Sequence, residues 1–145
     1  MNDTAQIFAL ALASNHHPER HFKTAFRHIA QWGEVTFSSI YLIPCRDGVG
    51  ADYWNAACIL TSKLPVEQLS EMLKQMEHAS GRVRPSHQIS LDLDLIAWGS
   101  DVDHMQFNSK KLPLALDVKI PLFEIWQNPE LQTDAVFPKV KTNIE

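Results

Sequence analysis

Residues 81–98 read GRVRPSHQISLDLDLIAW, and the second half of this stretch alternates strictly between leucine and aspartate. Three leucines fall on one side, and Asp92 and Asp94 fall on the other. Alternation with a period of two predicts a half-buried β-strand that turns its leucines toward the core. Aspartate is a poor strand former, and two carboxylates about 7 Å apart on one face repel each other unless positive charge lies nearby. The stretch therefore predicts a strand whose polar face is a candidate site.

The residues before this strand suggest which chemistry the site could perform. Arg82 and Arg84 carry guanidinium groups suited to phosphate oxygens. Mg²⁺ is commonly held by one or two carboxylates together with substrate phosphates, so Asp92 and Asp94 fit metal-assisted phosphoryl chemistry. The alternative is that the aspartates are simply solvated and the arginines complement the dipole of a preceding helix. The residues alone leave both interpretations open.

The overall composition is ordinary for a globular protein. The 145 residues fit one domain, 1–145, with 45% hydrophobic and 21% charged residues. The net charge of −4 argues against general affinity for nucleic acid or anionic membranes. No apolar run approaches the roughly 20 residues of a membrane span, and the N-terminus lacks the positive region of a secretory signal. Cys45 and Cys58 match no zinc motif and are too few for a disulfide framework, so we expect free thiols in a cytoplasmic protein. We expect a monomer by default.

Patterns along the chain predict six elements before residue 100. Helical spacing of apolar residues indicates two helices, and apolar or alternating runs indicate four strands. In chain order these are a strand at 7–12, a helix from Pro18 to Gly33, strands at 35–42 and 52–61, a helix at 65–80 and the strand at 91–98. The order βαββαβ predicts an α+β, two-layer, ferredoxin-like fold with an antiparallel sheet and both helices on one face.

The remaining residues form a C-terminal extension with less regular patterning. Residues 121–126 could be a short helix or a strand, and their aromatic side chains are expected to cover the core. The tail from about residue 132 is predicted to be loosely ordered. The second face of the sheet would then carry the function or be covered by this extension.

Two further polar residues are candidates for the site. Glu77 lies one turn from a helix C-terminus, where an acid opposes the helix dipole. Asn55 interrupts an apolar strand beside Tyr53, and its amide could hydrogen-bond the edge of a heterocycle or a neighbouring loop backbone.

Together these segments resemble the 6-hydroxymethyl-7,8-dihydropterin pyrophosphokinase family. The resemblance covers most of residues 7–131, in the order of the family. It rests on Asp-Tyr-Trp-Asn-Ala-Ala at 52–57, Gly-Arg-Val-Arg at 81–84, Leu-Asp-Leu-Asp at 91–94 and Pro-Leu-Phe-Glu-Ile at 121–125, with Ser14, Asn15, Tyr41 and Pro44 also matching.

The resemblance implies an activity and a set of site residues. The family transfers pyrophosphate from ATP to a reduced pterin in folate biosynthesis, and it uses Mg²⁺. By this resemblance two Mg²⁺ ions would bind the aspartates, and ATP would be the co-substrate. The implied residues are Asp92 and Asp94 for metal and catalysis, Arg82 for catalysis and nucleotide, Glu77 and Arg84 for nucleotide, and Ile43, Pro44, Tyr53 and Asn55 for the pterin.

The chain also departs from the family pattern. The loop before the Asp strand is shorter and lacks the family's arginine and tryptophan, and Ile89 stands where the family has an arginine. Residues 112–118 contain neither the aromatic nor the basic residues usual in that region. Loss of a cation near transferring phosphates can cost orders of magnitude in rate.

These departures leave three hypotheses. The first is an active pyrophosphokinase, with the usual pterin or an altered acceptor. The second is a degenerate homologue that binds ATP and Mg²⁺, or a protein partner, without transfer. The third is an RNA-recognition module, because such modules share the βαββαβ order. The acidic net charge and the two aspartates on the exposed strand disfavour the third.

Overall fold

The computed structural model of the protein describes residues 4–44, 48, 50–83, 88–142 and 144. Within these residues the chain forms six strands, three α-helices and two short 3₁₀ helices. In order they are β1 (Gln6–Ser14), α1 (Pro18–Ile29), β2 (Glu34–Phe37), β3 (Tyr41–Ile43), β4 (Tyr53–Ser62), α2 (Val66–Ala79), β5 (Asp92–Gly99), β6 (Met105–Phe107), a 3₁₀ helix (Ser109–Lys111), α3 (Leu116–Ile125) and a 3₁₀ helix (Pro129–Leu131).

All strand pairs are antiparallel, and the sheet order is β2–β4–β1–β5–β6, with β3 also pairing with β4. When β2 and β3 are counted as one interrupted strand, the elements up to β5 follow the order βαββαβ. The predicted α+β class with an antiparallel, ferredoxin-like sheet is therefore confirmed.

The strand predicted at 35–42 is interrupted at Ser38. The Ser38 N–H donates to the Ala57 carbonyl at 2.9 Å, while the Ala57 N–H donates to the Ser38 hydroxyl at 2.8 Å. The Ser38 hydroxyl thus accepts the hydrogen bond that a backbone carbonyl would accept in a regular antiparallel ladder. Alternation of residue types continues across the break, so the pattern alone gives one strand where the structure has two.

One face of the sheet packs against α1 and α2. Phe22, Phe26 and Ile29 of α1 and Leu69 and Leu73 of α2 are buried against the strands. Burial of each such side chain contributes roughly 1.5–3 kcal/mol to the free energy of unfolding. The leucines of β5 lie on this same face, as their alternation predicts.

The opposite face of the sheet is covered by α3. Small residues on the strands let this helix approach closely, and Leu122 and Trp126 are buried against them. Helix α3 begins five residues before Pro121, whereas the sequence pattern placed an element only from that proline onward. The extension therefore covers the second face, and the small strand residues that meet it are Ala9, Ala11, Ala57 and Ala97.

The C-terminal segment runs along β3. The Leu42 N–H donates to the Pro138 carbonyl at 2.9 Å, and the Val140 N–H donates to the Ile40 carbonyl at 2.7 Å. Tyr41 and Lys139 form the bridge between these two hydrogen bonds. The loose order predicted from about residue 132 stays a prediction. Among the described residues, no helix combines the length and the apolar character needed to cross a membrane.

We expect Ser38→Ala to lower the free energy of unfolding by about 1–3 kcal/mol, because the buried Ala57 N–H loses its acceptor. Urea denaturation of the variant and of the wild type measures this difference. Ser100→Ala, at an exposed position, is the control and should change stability by less than about 0.5 kcal/mol. Equal stability of the two variants would show that the Ser38 hydroxyl does not replace a ladder acceptor.

Candidate active site

The site begins at the part of the β5 edge that β6 leaves uncovered. Strand β6 pairs only with Ala97–Gly99, so the earlier residues of β5 have no strand beside them there. Glu77, in the last turn of α2, reaches this edge, and its Oε2 accepts a hydrogen bond of 2.7 Å from the Leu93 N–H. The carboxylate thus satisfies a backbone donor that would otherwise lack a partner in a half-buried position.

Arg82 joins the end of α2 to the first aspartate of β5. Its Nη1 lies 3.0 Å from Asp92 Oδ1 and 3.6 Å from Glu77 Oε2, and it also donates to the Leu91 carbonyl at 3.4 Å. The Arg82 side chain is only 11% exposed. Its guanidinium therefore lies between two carboxylates, where it offsets their repulsion.

The second aspartate of β5 meets a different cation. Lys111, at the end of the 109–111 3₁₀ helix, places its Nζ 2.7 Å from Asp94 Oδ1. Asn108 fixes this helix to β5, because its N–H donates to the Ile96 carbonyl and its Nδ2 donates to the Leu95 carbonyl. Asp92 and Asp94 are thus each neutralised by a residue from a different part of the chain.

These groups line one polar cavity of about 550 Å³ between α2, β5 and the 109–111 helix. A cavity lined by both carboxylates and basic side chains can hold a cation together with a phosphate chain. Its charged lining consists of the acids Glu77, Asp92 and Asp94 and the bases Lys74, Arg82, Lys110 and Lys111.

Burial and mutual repulsion perturb the acids of this cavity. Burial, then hydrogen bonding to Asp92 and its charge, raises the pKa of Glu77 to about 7, although the Leu93 N–H and Arg82 oppose the shift. Burial and the charge of Asp92 raise the pKa of Asp94, against the opposing effect of Lys111. For Lys111, burial lowers the pKa, but Asp94, Asp92 and Glu77 together raise it above its ordinary value. The cavity thus favours added positive charge.

A second cavity, of about 540 Å³, lies between α1 and α2. It is lined mainly by apolar groups, including Trp32, Met72 and Met76, and none of the site residues predicted from the sequence lines it. His21 lies at its wall, and its Nε2 is buried with no hydrogen-bond partner among the described residues. We place the candidate active site in the polar cavity, because the three predicted carboxylates meet four basic residues there.

The residues predicted to bind a pterin are only partly brought together. Ile43 and Pro44 line a small, largely apolar cavity of about 270 Å³ with Leu116, Asp117 and Phe137. Neither of the predicted residues on β4 is among the described residues that line it. Asn55 is 2% exposed, and its Nδ2 donates at 3.4 Å to the Tyr53 carbonyl. This contact is with the backbone of its own strand, not with the neighbouring loop that the sequence left open as the alternative to a ligand.

Asn15 ties the segment before β5 to the end of β1. The Ile89 N–H donates to the Asn15 side-chain oxygen at 2.6 Å, and the Asn15 N–H donates to the Ile89 carbonyl at 3.0 Å. The Asn15 Nδ2 also donates to the Ala51 carbonyl at 3.3 Å. One asparagine therefore connects the loop before β4 and the loop before β5. Arg84, the other predicted nucleotide-binding residue, lies outside the described residues.

Sequence reasoning missed Asn108 and Lys111. If the β5–β6 register, which pairs Ala97 with Phe107, continued, residue 110 would stand opposite Asp94; the chain forms the 109–111 helix instead and brings Lys111 to Asp94. The Lys110–Lys111 pair after the turn at Gly99 was therefore the available signal. This signal is weak, because β6 is only three residues long and its sequence pattern does not identify it as a strand.

We expect the contribution of Glu77 to the free energy of unfolding to fall as the pH rises from about 4.5 to about 7. Its pKa is higher in the folded protein than in the unfolded chain, so the folded state binds the proton more tightly, and that stabilisation is lost as the proton dissociates. Glu77→Gln should flatten this dependence by up to about 3 kcal/mol. Urea titrations at several pH values measure it, with Glu71→Gln on the exposed face of α2 as the control. Parallel curves for wild type and Glu77→Gln would contradict the assignment.

A comparison with family models relates this geometry to known proteins. The model described as 7,8-dihydro-6-hydroxymethylpterin-pyrophosphokinase (HPPK) matches residues 9–128, more than four fifths of the chain. The match includes β5 with both aspartates, Glu77, Arg82, and the 109–111 helix with Lys111. The chain belongs to the 7,8-dihydro-6-hydroxymethylpterin-pyrophosphokinase family.

Proposed function

We propose that the protein transfers pyrophosphate from ATP to 6-hydroxymethyl-7,8-dihydropterin, as a Mg²⁺-dependent step of folate biosynthesis. The observation that carries the proposal is the pairing of two carboxylates on the polar face of β5 with basic groups from two other elements, all in one cavity. Membership of the family supports the reaction type.

The donor atoms of the cavity fit Mg²⁺. The side chains of Asp92 and Asp94 are 36% and 25% exposed, so both carboxylates remain accessible from the cavity. Among the described residues, no group of three or more acidic, histidine or cysteine side chains is arranged to hold a metal ion by itself. Two carboxylates are nevertheless a suitable protein contribution, because Mg²⁺ usually completes its shell with water and substrate phosphates. When bound, the metal would neutralise phosphate charge and stabilise the charge that develops in phosphoryl transfer.

The residues of the chain have separate tasks in this proposal. Asp92 and Asp94 hold the metal, and the rigid backbone of β5 fixes the spacing between them. Arg82 holds Asp92 in place and presents a guanidinium suited to phosphate oxygens. Glu77 fixes the edge of β5 and helps to place the nucleotide, and Arg84 adds a further contact with the triphosphate.

The acceptor would bind near the end of β3. The small cavity beside Ile43 and Pro44 offers apolar surfaces to a flat ring. The hydrogen bond from Asn55 to the Tyr53 carbonyl is long at 3.4 Å, so the amide can turn to a ligand at small cost. Tyr53, which pairs with Ile43 across the β3–β4 ladder, would contact the acceptor from outside this cavity.

A different acceptor is the second candidate. Asp117, at the start of α3, lines the small cavity beside Ile43 and Pro44. It belongs to the 112–118 segment, which lacks the aromatic and basic residues that the family resemblance leads one to expect there. The lining of this cavity is almost wholly apolar, which favours an acceptor that presents an apolar face there.

We expect Asp92→Asn and Asp94→Asn each to weaken Mg²⁺-dependent ATP binding by roughly 100-fold or more, because a carboxylate ligand is replaced by a neutral amide. Isothermal titration calorimetry with and without Mg²⁺ measures the effect. Asp101→Asn makes the same change of charge in an exposed turn and should leave the affinity unchanged. Unchanged affinity in both β5 variants would show that the metal is not held by these residues.

Release of AMP from ATP should depend on the pterin. In the presence of Mg²⁺, we expect 6-hydroxymethyl-7,8-dihydropterin to increase AMP formation at least roughly 10-fold over a reaction without pterin. ATP binding without pterin-dependent AMP would reject the pyrophosphokinase reaction. It would leave either a nucleotide-binding protein without transfer or a kinase for another acceptor.

A further inference from the structure

Lys111 has the position of a phosphate-binding residue that the family resemblance does not assign. It lines the polar cavity with Asp92, Asp94 and Arg82. Its Nζ donates to Asp94 at 2.7 Å, yet the lysine side chain remains 39% exposed. An ammonium group has three N–H donors, and among the described residues only Asp94 is in hydrogen-bond contact with it. The group can therefore serve a second partner in the cavity.

The backbone beneath Lys111 is held in place. Asn108 makes two hydrogen bonds to β5, and its side-chain oxygen accepts from the Lys110 N–H at 3.1 Å, which caps the 3₁₀ helix. Only the four-carbon stem of Lys111 is free to turn. The ammonium can thus change partners within the cavity while its backbone stays beside β5.

Metal binding and the Lys111–Asp94 pair compete for the same oxygens. A divalent ion coordinated by Asp94 must share or displace the ammonium, since like charges that meet on one carboxylate repel each other. The phosphate chain that arrives with the metal presents anionic oxygens that can accept hydrogen bonds from an ammonium group. A displaced ammonium would therefore find phosphate oxygens inside the cavity that it already lines.

We propose that Lys111 binds the phosphate chain of the nucleotide and pairs with Asp94 while the cavity holds no nucleotide. This inference rests on the proposed nucleotide-binding function. Lys111 supplies a cation from the 109–111 helix, in addition to Arg82 from the segment after α2. It does so in a chain that has Ile89 in place of an arginine before β5.

The test measures binding to Lys111→Met, which keeps the length of the stem and removes the charge. The ligand is α,β-methylene-ATP with Mg²⁺, an analogue that resists cleavage at the bond to be broken, so affinity is read without turnover. We expect Lys111→Met to weaken this affinity roughly 10-fold or more, the loss of one charge-assisted hydrogen bond. Lys111→Arg should restore it to within about threefold of the wild type. Lys23→Met, on the exposed face of α1, is the matched control and should bind like the wild type.

A second readout separates phosphate binding from support of the fold. Without nucleotide, Lys111→Met should bind Mn²⁺ more tightly than the wild type, as measured by electron paramagnetic resonance, because no ammonium competes for Asp94. Unchanged analogue affinity in Lys111→Met would overturn the inference. So would a loss that Lys111→Arg does not restore and that comes with weaker Mn²⁺ binding, which indicates a structural role. If the wild type itself fails to bind the analogue, the proposed nucleotide site is wrong, and this inference falls with it.

Discussion

The hydrogen bond from the Leu93 N–H to Glu77 organises the polar cavity. A strand edge that lies half-buried must have its backbone donors satisfied, and β6 is too short to reach this part of β5. A carboxylate from the end of α2 satisfies the donor instead. That contact brings a second acid close to Asp92, and Arg82 then lies between the two. The charged groups of the site thus gather at the part of the β5 edge that no strand covers.

The shape of β5 depends on its neighbours on both faces. Its leucines pack under α1 and α2, and its register with β1 shifts between Ala9 and Leu10, so that Ile96 is an extra residue on β5. Because of this bulge, Ile96 and the next residue, Ala97, both pack on the α3 side of the sheet. The aspartates lie before the bulge, where the strand is regular and their spacing is set by the pleat. The same strand therefore serves as core and as scaffold for the site.

Local patterns predicted much of this arrangement. The alternation at 91–95 identified β5 and the face that carries both aspartates, and helical spacing identified α1 and α2, because these periods are set by neighbouring residues. Glu77 stood out because it opposes the dipole of its own helix. Its actual partner, the Leu93 N–H, belongs to a strand edge whose exposure depends on where β6 ends.

Other features depend on contacts between distant residues and could not be predicted from pattern. The break at Ser38 depends on Ala57, and the position of Lys111 depends on a three-residue strand after a turn. Helix α3 begins at Leu116 and contains Pro121, a residue that usually disfavours a helix interior, so the sequence indicated only the part from 121 onward. Asn55 is buried, but its side chain hydrogen-bonds the backbone of its own strand.

The C-terminal segment along β3 also bears on self-association. Strand β3 pairs with β4 on one side, and residues 138–140 occupy its other side through two backbone hydrogen bonds. A bare strand edge is a template for pairing with another chain. Removal of the last ten residues would leave the backbone of Ile40–Leu42 open to a second molecule, so C-terminal truncation carries a risk of aggregation that has no connection with catalysis.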